Sequence, residues 1–362
     1  MPGSGYFAGR AVVRWGIIGC GDVTEVKSGP GFQKAANSQL VAVMRRTRTL
    51  AADYAKRHGV ARWYNHADEL IADPGVDAVY IATPPDTHAG YALAVAAARK
   101  PAYIEKPMAR HAGECDTMVE AFERAKLPLF VAYYRRRLPC FLKVEELLRS
   151  GVLGRVTAVS YRIAEPFHRK GDQWRTDAAV AGAGHFLDLG SHALDLLDYL
   201  LGPLTDISGT AANVASAYAP EDTVALSFRT AGGAPGSMAC NFASAMRDDT
   251  MRIAGTDGEI TFPVFRSEPL RLDRSTGAQA FDLPYPPHVA QPLIQSVVDD
   301  LLGRGVCPST GESARRTSRV MDRVLTGYYG GRTDAFWERP ETWPGRRGHS
   351  TAGQGAGPLS GG

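Results

Sequence analysis

The sequence predicts an α/β chain in two parts, a doubly wound parallel sheet followed by a second α/β unit built on an open, mainly antiparallel sheet. Three observations carry that expectation. In the first third, short and nearly continuous apolar runs alternate with helix-like stretches, the signature of strands buried on both faces. A glycine turn, Gly19-Cys20-Gly21, closes the first of those runs. From Leu204 to Phe265 the strand-like runs follow one another without helices between them, as hairpin-connected sheets do.

The first six strands are expected at Val12–Ile18, Leu40–Met44, Ala61–Tyr64, Ala78–Ala82, Ala102–Ile104 and Leu129–Ala132. Helices are expected between them near Leu50–His58, Asp68–Ala72, Thr87–Ala98 and Ala112–Ala125. Gly59, Pro74-Gly75, Pro101 and Pro128 punctuate these boundaries. Gly29-Pro30 interrupts the stretch where the first crossover helix belongs, so that helix should be short or broken. In the second part, helices are expected at Pro139–Arg149 and His185–Leu201, the latter stopped by Gly202-Pro203. Strands are expected at Arg155–Ile163, Leu204–Ser216, Thr223–Arg229, Gly236–Ala243, Thr250–Ala254 and Glu259–Phe265, with a hairpin turn over Gly255–Gly258. Closing helices near Pro292–Leu302 and Glu312–Tyr329 have the position to return to the domain junction. The expected organisation is a flexible N-terminus (1–11), a nucleotide-binding domain (12–135), a substrate and oligomerisation domain (136–331) and a flexible tail (332–362).

Length and composition agree with two globular domains: 362 residues, 44% apolar, 22% charged, net charge +3. No apolar run approaches the roughly 18 residues of a membrane span, and the first ten residues lack a signal-peptide core. The five cysteines are scattered and form no CxxC pair, which argues for a reducing cytoplasm and against a disulfide framework or a cysteine zinc site. The charge surplus is too small to indicate nucleic acid or an acidic membrane as partner.

The turn Gly19-Cys20-Gly21-Asp22-Val23-Thr24 reads as a phosphate-binding loop. Gly19 serves the tight turn, Gly21 lets a pyrophosphate approach the backbone, and the amides at the start of the next helix hold the anion. Thr24 stands where glycine or alanine is usual, so helix-on-strand packing should be looser there. A carboxylate at the end of the second strand would select NAD(H), but no acidic residue occurs between Glu25 and Asp53. The strand ends instead in Met44-Arg45-Arg46-Thr47-Arg48, and a guanidinium suits a 2′-phosphate. NADP(H) is therefore favoured, with NAD(H) the alternative.

The fourth strand leads into Thr83-Pro84-Pro85-Asp86-Thr87-His88 and the fifth into Glu105-Lys106-Pro107, both at the strand ends where open α/β sheets bind ligands. Asp188, His192 and Asp195 recur at i, i+4 and i+7, giving a narrow polar stripe on an otherwise apolar helix. Such a stripe is either a satisfied buried network or the wall of a cavity, and Gly182, Gly184 and Gly190 nearby favour the cavity. A metal held by His185, Asp188 and His192 is disfavoured because no further ligand is evident.

The segments GIIGCGDVTE, DAVYIATPPDTH, EKP, WR and GHFLDLGSHALD, in that order, resemble the glucose–fructose oxidoreductase/inositol dehydrogenase/MocA family over residues 12–330. The resemblance implies a Rossmann domain, a second α/β domain with an open antiparallel sheet, and pyridine-nucleotide chemistry on sugars or cyclic polyols. It makes Lys106 the EKP lysine, and Asp188 and His192 the pair of the helix motif. Trp174-Arg175 matches a pair that approaches the cofactor, while Thr83, Pro84 and His88 match the loop beside it. Tyr134-Arg135 departs from the asparagine that often precedes the arginine there, as Thr24 departs from the usual small residue. The cofactor-contacting set is then Gly19, Gly21, Asp22, Val23, Arg45, Arg46, Thr83, Pro84, His88, Glu105, Lys106, Trp174 and Arg175. The substrate is expected against Lys106, Tyr134, Asp188 and His192.

The expected chemistry is reversible hydride transfer at a secondary carbinol or carbonyl of a sugar, cyclic polyol or related diol. His192 is expected as acid/base near its ordinary pKa, with Lys106 on the same oxygen and Asp188 orienting His192 or gripping a neighbouring hydroxyl. Alternatives are oxidoreductive elimination or glycoside cleavage with a tightly held nucleotide, and a non-catalytic dinucleotide-binding regulator. A homo-oligomer, dimer or tetramer, is expected through the C-terminal sheet, since an open sheet needs a cover.

Overall fold

The computed structural model describes residues 3–167, 174–333 and 335–346. Six strands, β1 (Val13–Ile18), β2 (Ser38–Met44), β3 (Arg62–Tyr64), β4 (Ala78–Ile81), β5 (Ala102–Ile104) and β6 (Leu129–Val131), form one sheet in the order β3-β2-β1-β4-β5-β6. Every pairing in it is parallel. The order reverses between β1 and β4, which opens a crevice at the carboxyl ends of the strands. The crossovers are α1 (Asp22–Val26) with α2 (Gly29–Lys34), α3 (Arg48–His58), α4 (Ala67–Ala72), α5 (His88–Ala97) and α6 (Ala112–Ala125).

The second unit contains α7 (Pro139–Arg149), β7 (Val156–Pro166), α8 (Ala178–Ala181), a π-turn over Phe186–Gly190, and α9 (Ser191–Leu201). Then come β8 (Thr205–Ala212), β9 (Thr223–Arg229), β10 (Pro235–Asn241), β11 (Ala243–Gly255), β12 (Glu259–Phe262), β13 (Leu270–Arg274) and β14 (Gly277–Phe281). Two helices follow, α10 (Gln291–Leu301) and α11 (Gly311–Tyr329). The eight strands run in the order β14-β13-β12-β11-β7-β10-β9-β8, antiparallel except for the parallel pair β7–β10. The β13–β14 hairpin is absent from the sequence expectation: β14 is an exposed edge strand, and its residues lack the alternation that marks a half-buried strand.

Alternation elsewhere in this sheet is clean. Val159, Tyr161 and Ile163 of β7 and Val224, Leu226 and Phe228 of β9 are buried in one core with Phe141 and Val144 of α7, Leu194 and Leu197 of α9, and Val324 and Leu325 of α11. The apolar face is thus covered by the chain's own helices, and the opposite face presents Ser160, Arg162, Ala225, Ser227, Ser237 and Ala239.

Expectation and structure part company at both ends of the chain. The interrupted crossover leaves α2 only six residues long, and α10 completes that side of the parallel sheet. Leu293, Ile294, Val297 and Val298 join Trp15, Phe32 and Tyr80 in a single core. Gly31 is required there, since a Cβ would stand 2.7 Å from Ile294 Cδ1. The residues before β1 are packed: the Gly5 and Phe7 amides donate to the carbonyls of Asp300 and Leu301 (2.9 and 2.7 Å). Arg332 and the turns after it are packed as well. Arg332 is buried, donates to Asp322 Oδ1 (2.7 Å) and to the carbonyl of Gly182 (2.6 Å), and also bonds the carbonyl of Arg110. Trp343 is buried against Tyr328, Tyr329 and Phe336. Aromatic anchors inside a Gly-, Pro- and Arg-rich stretch outweigh its average composition; residues 347–362 of the expected tail lie outside the described residues.

Arg136, just after β6, and Asp195, on α9, form a buried bidentate pair at 2.6 and 2.8 Å. Arg136 also donates to the carbonyl of Pro308 at 2.6 Å. Side chains 3% and 1% exposed leave water no access to either charge, so removing one strands the other. Asp195→Ala is expected to lower stability by about 3–5 kcal/mol, whereas Arg136→Met with Asp195→Leu recovers most of that loss. Urea unfolding of the three proteins checks this.

Candidate active site

The phosphate loop starts where Ile18 ends and Gly19 turns with φ +90°, a conformation that L side chains rarely adopt. A Cβ on Gly19 would also stand 2.6 Å from Thr83 Cγ2 and 3.0 Å from the Ala82 carbonyl carbon. At Gly21 a Cβ would meet nothing of the protein closer than 3.9 Å, so the absent side chain leaves open space above the loop. The first amides of α1, Asp22 and Val23, have no carbonyl within the helix to bond. Loop and helix start therefore fit the pyrophosphate of a dinucleotide.

Thr24 does not loosen this corner. It is fully buried, and its hydroxyl accepts from the Gly21 amide (2.9 Å) and donates to the Gly21 carbonyl (2.8 Å). The Tyr54 hydroxyl donates to the Thr24 carbonyl (2.9 Å), and the close approach here is taken by Gly29, where a Cβ would lie 2.2 Å from Thr24 O.

From this loop a cleft of about 930 Å³ runs across the carboxyl ends of the parallel strands to the second unit. Gly19, Gly21, Asp22 and Val23 line it at one end, with Arg45 and Arg46 beyond β2. Thr83 and Pro84 line the middle, and Glu105, Lys106, Tyr134, Trp174, Arg175, Asp188 and His192 the far end. His88 alone among the expected contacts does not reach the cleft. It is buried, with Nε2 2.7 Å from the Thr83 carbonyl and Nδ1 3.2 Å from those of Pro107 and Met108. Its ring tethers the loop after β4 to the loop after β5.

Lys106 reaches across from the parallel sheet to the second unit. Its ammonium pairs with Asp188 Oδ1 and donates to the Asp188 carbonyl (3.1 Å). Asp188 Oδ2 accepts from Arg175 Nε (3.1 Å), and that guanidinium lies 4.4 Å from the centre of the Trp174 ring. Burial pushes the Asp188 carboxyl up, but Lys106, by charge and hydrogen bond, and then Arg175 outweigh it and hold the pKa at about 2. Behind Lys106, the Tyr80 hydroxyl donates to the Glu105 carboxylate, which also accepts from the Lys106 amide (3.1 Å).

Two expectations for the helix residues are corrected. Asp188 is engaged by Lys106 and Arg175, and so does not orient His192. Asp195 belongs to the buried pair with Arg136, so the polar stripe divides into two cleft residues, Asp188 in the π-turn and His192 on α9, and a structural one. His192 sits among Tyr133, Tyr134 and Phe265, with ring centres 5.8, 5.4 and 5.8 Å away. Burial first, then the charges of Arg135, Lys106 and Lys27, push its pKa well below the ordinary 6.5, so the imidazole is neutral. Lys27, Arg135 and Phe265 also line the cleft and were missed by sequence reasoning. Arg135 stands at the family's arginine after the sixth strand but was not assigned to the site, and no motif marks Lys27, which follows the five-residue α1, or Phe265.

A nucleotide-shaped cleft across a parallel sheet, ending on a lysine, an aspartate and a histidine, defines a dinucleotide-dependent oxidoreductase. Residues 13–133 match the family described as an oxidoreductase family with an NAD-binding Rossmann fold, and residues 141–261 match the GFO/IDH/MocA C-terminal domain. The chain belongs to the GFO/IDH/MocA oxidoreductase family. It is 36% identical over 315 residues to Oxidoreductase P35 of Formosa agariphila, covering 86% of this chain and 97% of that one. It is 29% identical over 250 residues to trans-1,2-dihydrobenzene-1,2-diol dehydrogenase of Bos taurus, covering 68% and 72%. Among solved structures, levoglucosan dehydrogenase in complex with NADH superposes with a TM-score of 0.79 at 22% identity, over 86% of this chain and 96% of that one. Among the described residues, no helix is long and apolar enough to cross a membrane.

Gly19→Ala is expected to weaken nucleotide binding at least about tenfold, because the new Cβ is strained in φ and collides with the Thr83 strand end. Fluorescence titration with NADPH and NADH checks it; affinity equal to that of the parent would contradict the loop assignment.

Proposed function

We propose that this protein is an NADP(H)-dependent dehydrogenase or reductase acting on a secondary carbinol or carbonyl carbon of a sugar, cyclic polyol or related diol. The observation that carries the reading is the single cleft joining the phosphate loop to Lys106, Asp188 and His192. Relatives named levoglucosan dehydrogenase, myo-inositol 2-dehydrogenase and trans-1,2-dihydrobenzene-1,2-diol dehydrogenase point to the same kind of carbon.

Residues at the two ends divide the work. Arg45 and Arg46 line the cleft where the adenosine ribose belongs, and no carboxylate accompanies them at the end of β2. The flanking acids in sequence, Asp53 and Glu25, are both held by Arg57 (2.7 Å each), and Glu25 also by His58 (2.7 Å). Two guanidiniums there, with no ion pair among the described residues, favour a 2′-phosphate over a free diol. When bound, the nicotinamide supplies the hydride acceptor or donor. At the far end, Lys106 donates a hydrogen bond to the substrate oxygen and stabilises alkoxide character as it develops. Neutral His192 is competent to take the carbinol proton in the oxidative direction. Asp188 fixes the Lys106 ammonium in place.

Arg45→Asp combined with Arg46→Ala is expected to weaken NADPH binding by about tenfold or more while changing NADH binding little. Equal losses for the two nucleotides would defeat the NADP(H) preference, and the two dissociation constants decide it.

Lys106→Met and His192→Asn are each expected to lower kcat by roughly 10²–10⁴-fold. Because the His192 pKa is lowered, its basic form persists as the solution is acidified. In the oxidative direction kcat/KM therefore holds as pH falls through 6.5, and any loss due to this residue comes at lower pH. An acid limb centred near 6.5 that disappears in His192→Asn would overturn the neutral placement.

A further inference from the structure

The far end of the cleft is more basic than hydride transfer requires. Lys27, Lys106, Arg135 and Arg175 line it, against the carboxylates of Glu105 and Asp188. Both acids are already engaged, Asp188 by Lys106 and Arg175, and Glu105 by the Tyr80 hydroxyl and the Lys106 amide. Two cations are left over. Arg135 is 6% exposed, and its guanidinium lies over Phe265 at 4.2 Å and beside Tyr134 at 5.0 Å. Nε donates to the Val264 carbonyl (2.9 Å), while Nη1 is buried with no hydrogen-bond partner. The carboxylate behind that segment, Asp249, receives the amides of Val264, Phe265 and Arg266 and the Tyr161 hydroxyl, and forms no ion pair with Arg135. Lys27 makes no ion pair either among the described residues.

These two cations are placed for the substrate and not for the nucleotide phosphates. Lys27 ends α1 opposite the Asp22 and Val23 amides. Its charge, with those of Arg135 and Lys106, acts on both Tyr134 and His192. Burial alone would raise the Tyr134 phenol, yet the charges of Arg135, Lys27 and Lys106, with a hydrogen bond from Arg135, hold it below its ordinary value; the buried Nη1 of Arg135 is still left without a partner. A buried guanidinium with an open donor edge is costly until an anion meets it.

We propose that the substrate carries an anionic group, a sugar carboxylate or a sugar phosphate ester, received by Arg135 and Lys27 beside the carbon facing Lys106 and His192. The proposal rests on reading the cleft as a sugar or polyol site. Its planar fork suits Arg135 to pairing two oxygens of one anion, and stacking between two aromatic rings holds that plane in place.

The test is calorimetric titration of the protein saturated with reduced nucleotide, using hexuronates, hexose 6-phosphates and the parent hexoses, at low salt and at roughly 0.3 M. At least one anionic series should bind about tenfold tighter than its neutral parent, and lose that advantage at high salt. Which series does so identifies the anion. Lys27→Gln and Arg135→Gln should each lower the anion-to-neutral affinity ratio at least about threefold; Lys27 is exposed, so its variant serves even if the buried Arg135 variant does not fold. Neutral sugars binding as tightly as both anions, a ratio unmoved by Lys27→Gln, or no binding by any series would overturn the proposal. Nucleotide absorbance followed in parallel separates the two readings. With the absorbance repeated on protein saturated with oxidised nucleotide, an anion that binds but is neither reduced in the first case nor oxidised in the second retires the dehydrogenase reading and leaves this one standing, while turnover with no preference for anions does the reverse.

Discussion

The pair between Arg136 and Asp195 is the constraint on which the site depends. A charge with no route to water must keep its partner, so the residue that leaves β6 and the helix α9 are locked at one distance and one rotation. Asp195 lies one turn beyond His192 on that helix, and the turn before it carries Asp188. Fixing Asp195 therefore aims His192 and Asp188 back toward the end of β5, where Lys106 emerges. The third bond of Arg136, to Pro308, draws the segment between α10 and α11 into the same junction. The two units meet through directional, saturated contacts, which is how an oxidoreductase whose donors come from separate domains keeps them in register.

The charges of the cleft follow a matching logic at lower burial. Lys106 and Arg175 share Asp188, and that sharing holds the buried Asp188 carboxyl in its ionised form. His192 has only rings and cations for neighbours, which makes the neutral imidazole its stable form. The modest net charge of +3 hides this polarity, because the basic residues that matter are gathered at the two ends of one groove.

The parallel sheet was legible in the sequence because its strands are buried on both faces and so read as unbroken apolar runs. The glycine loop was legible because only glycine tolerates the φ that Gly19 adopts. The cleft residues placed by motif, such as Lys106 and His192, reach it; His88 does not, since a histidine hydrogen-bonding loop carbonyls looks the same in sequence as one facing a ligand. The Asp188–His192–Asp195 stripe was visible, but helical spacing could not reveal that the π-turn and Arg136 assign its members to different tasks. Lys27 carries no pattern, and Arg135 was visible only as the arginine after the sixth strand, because the part each plays comes from where α1 and β6 end. The exposed β14 and the packed 332–346 segment show the same limit from the other side: local composition does not record what a segment meets across the fold.

The broken crossover after β1 has a consequence for how the protein is made. Part of the core on one face of the parallel sheet is supplied by α10, which begins 160 residues after the last strand of that sheet. At ordinary ribosomal speeds, Trp15, Phe32 and Tyr80 wait roughly ten to thirty seconds for their cover. During synthesis the nucleotide-binding half is thus a finished sheet with one bare side. Such an intermediate is a natural client for a chaperone, and fragments ending before α10 would inherit the same sticky face.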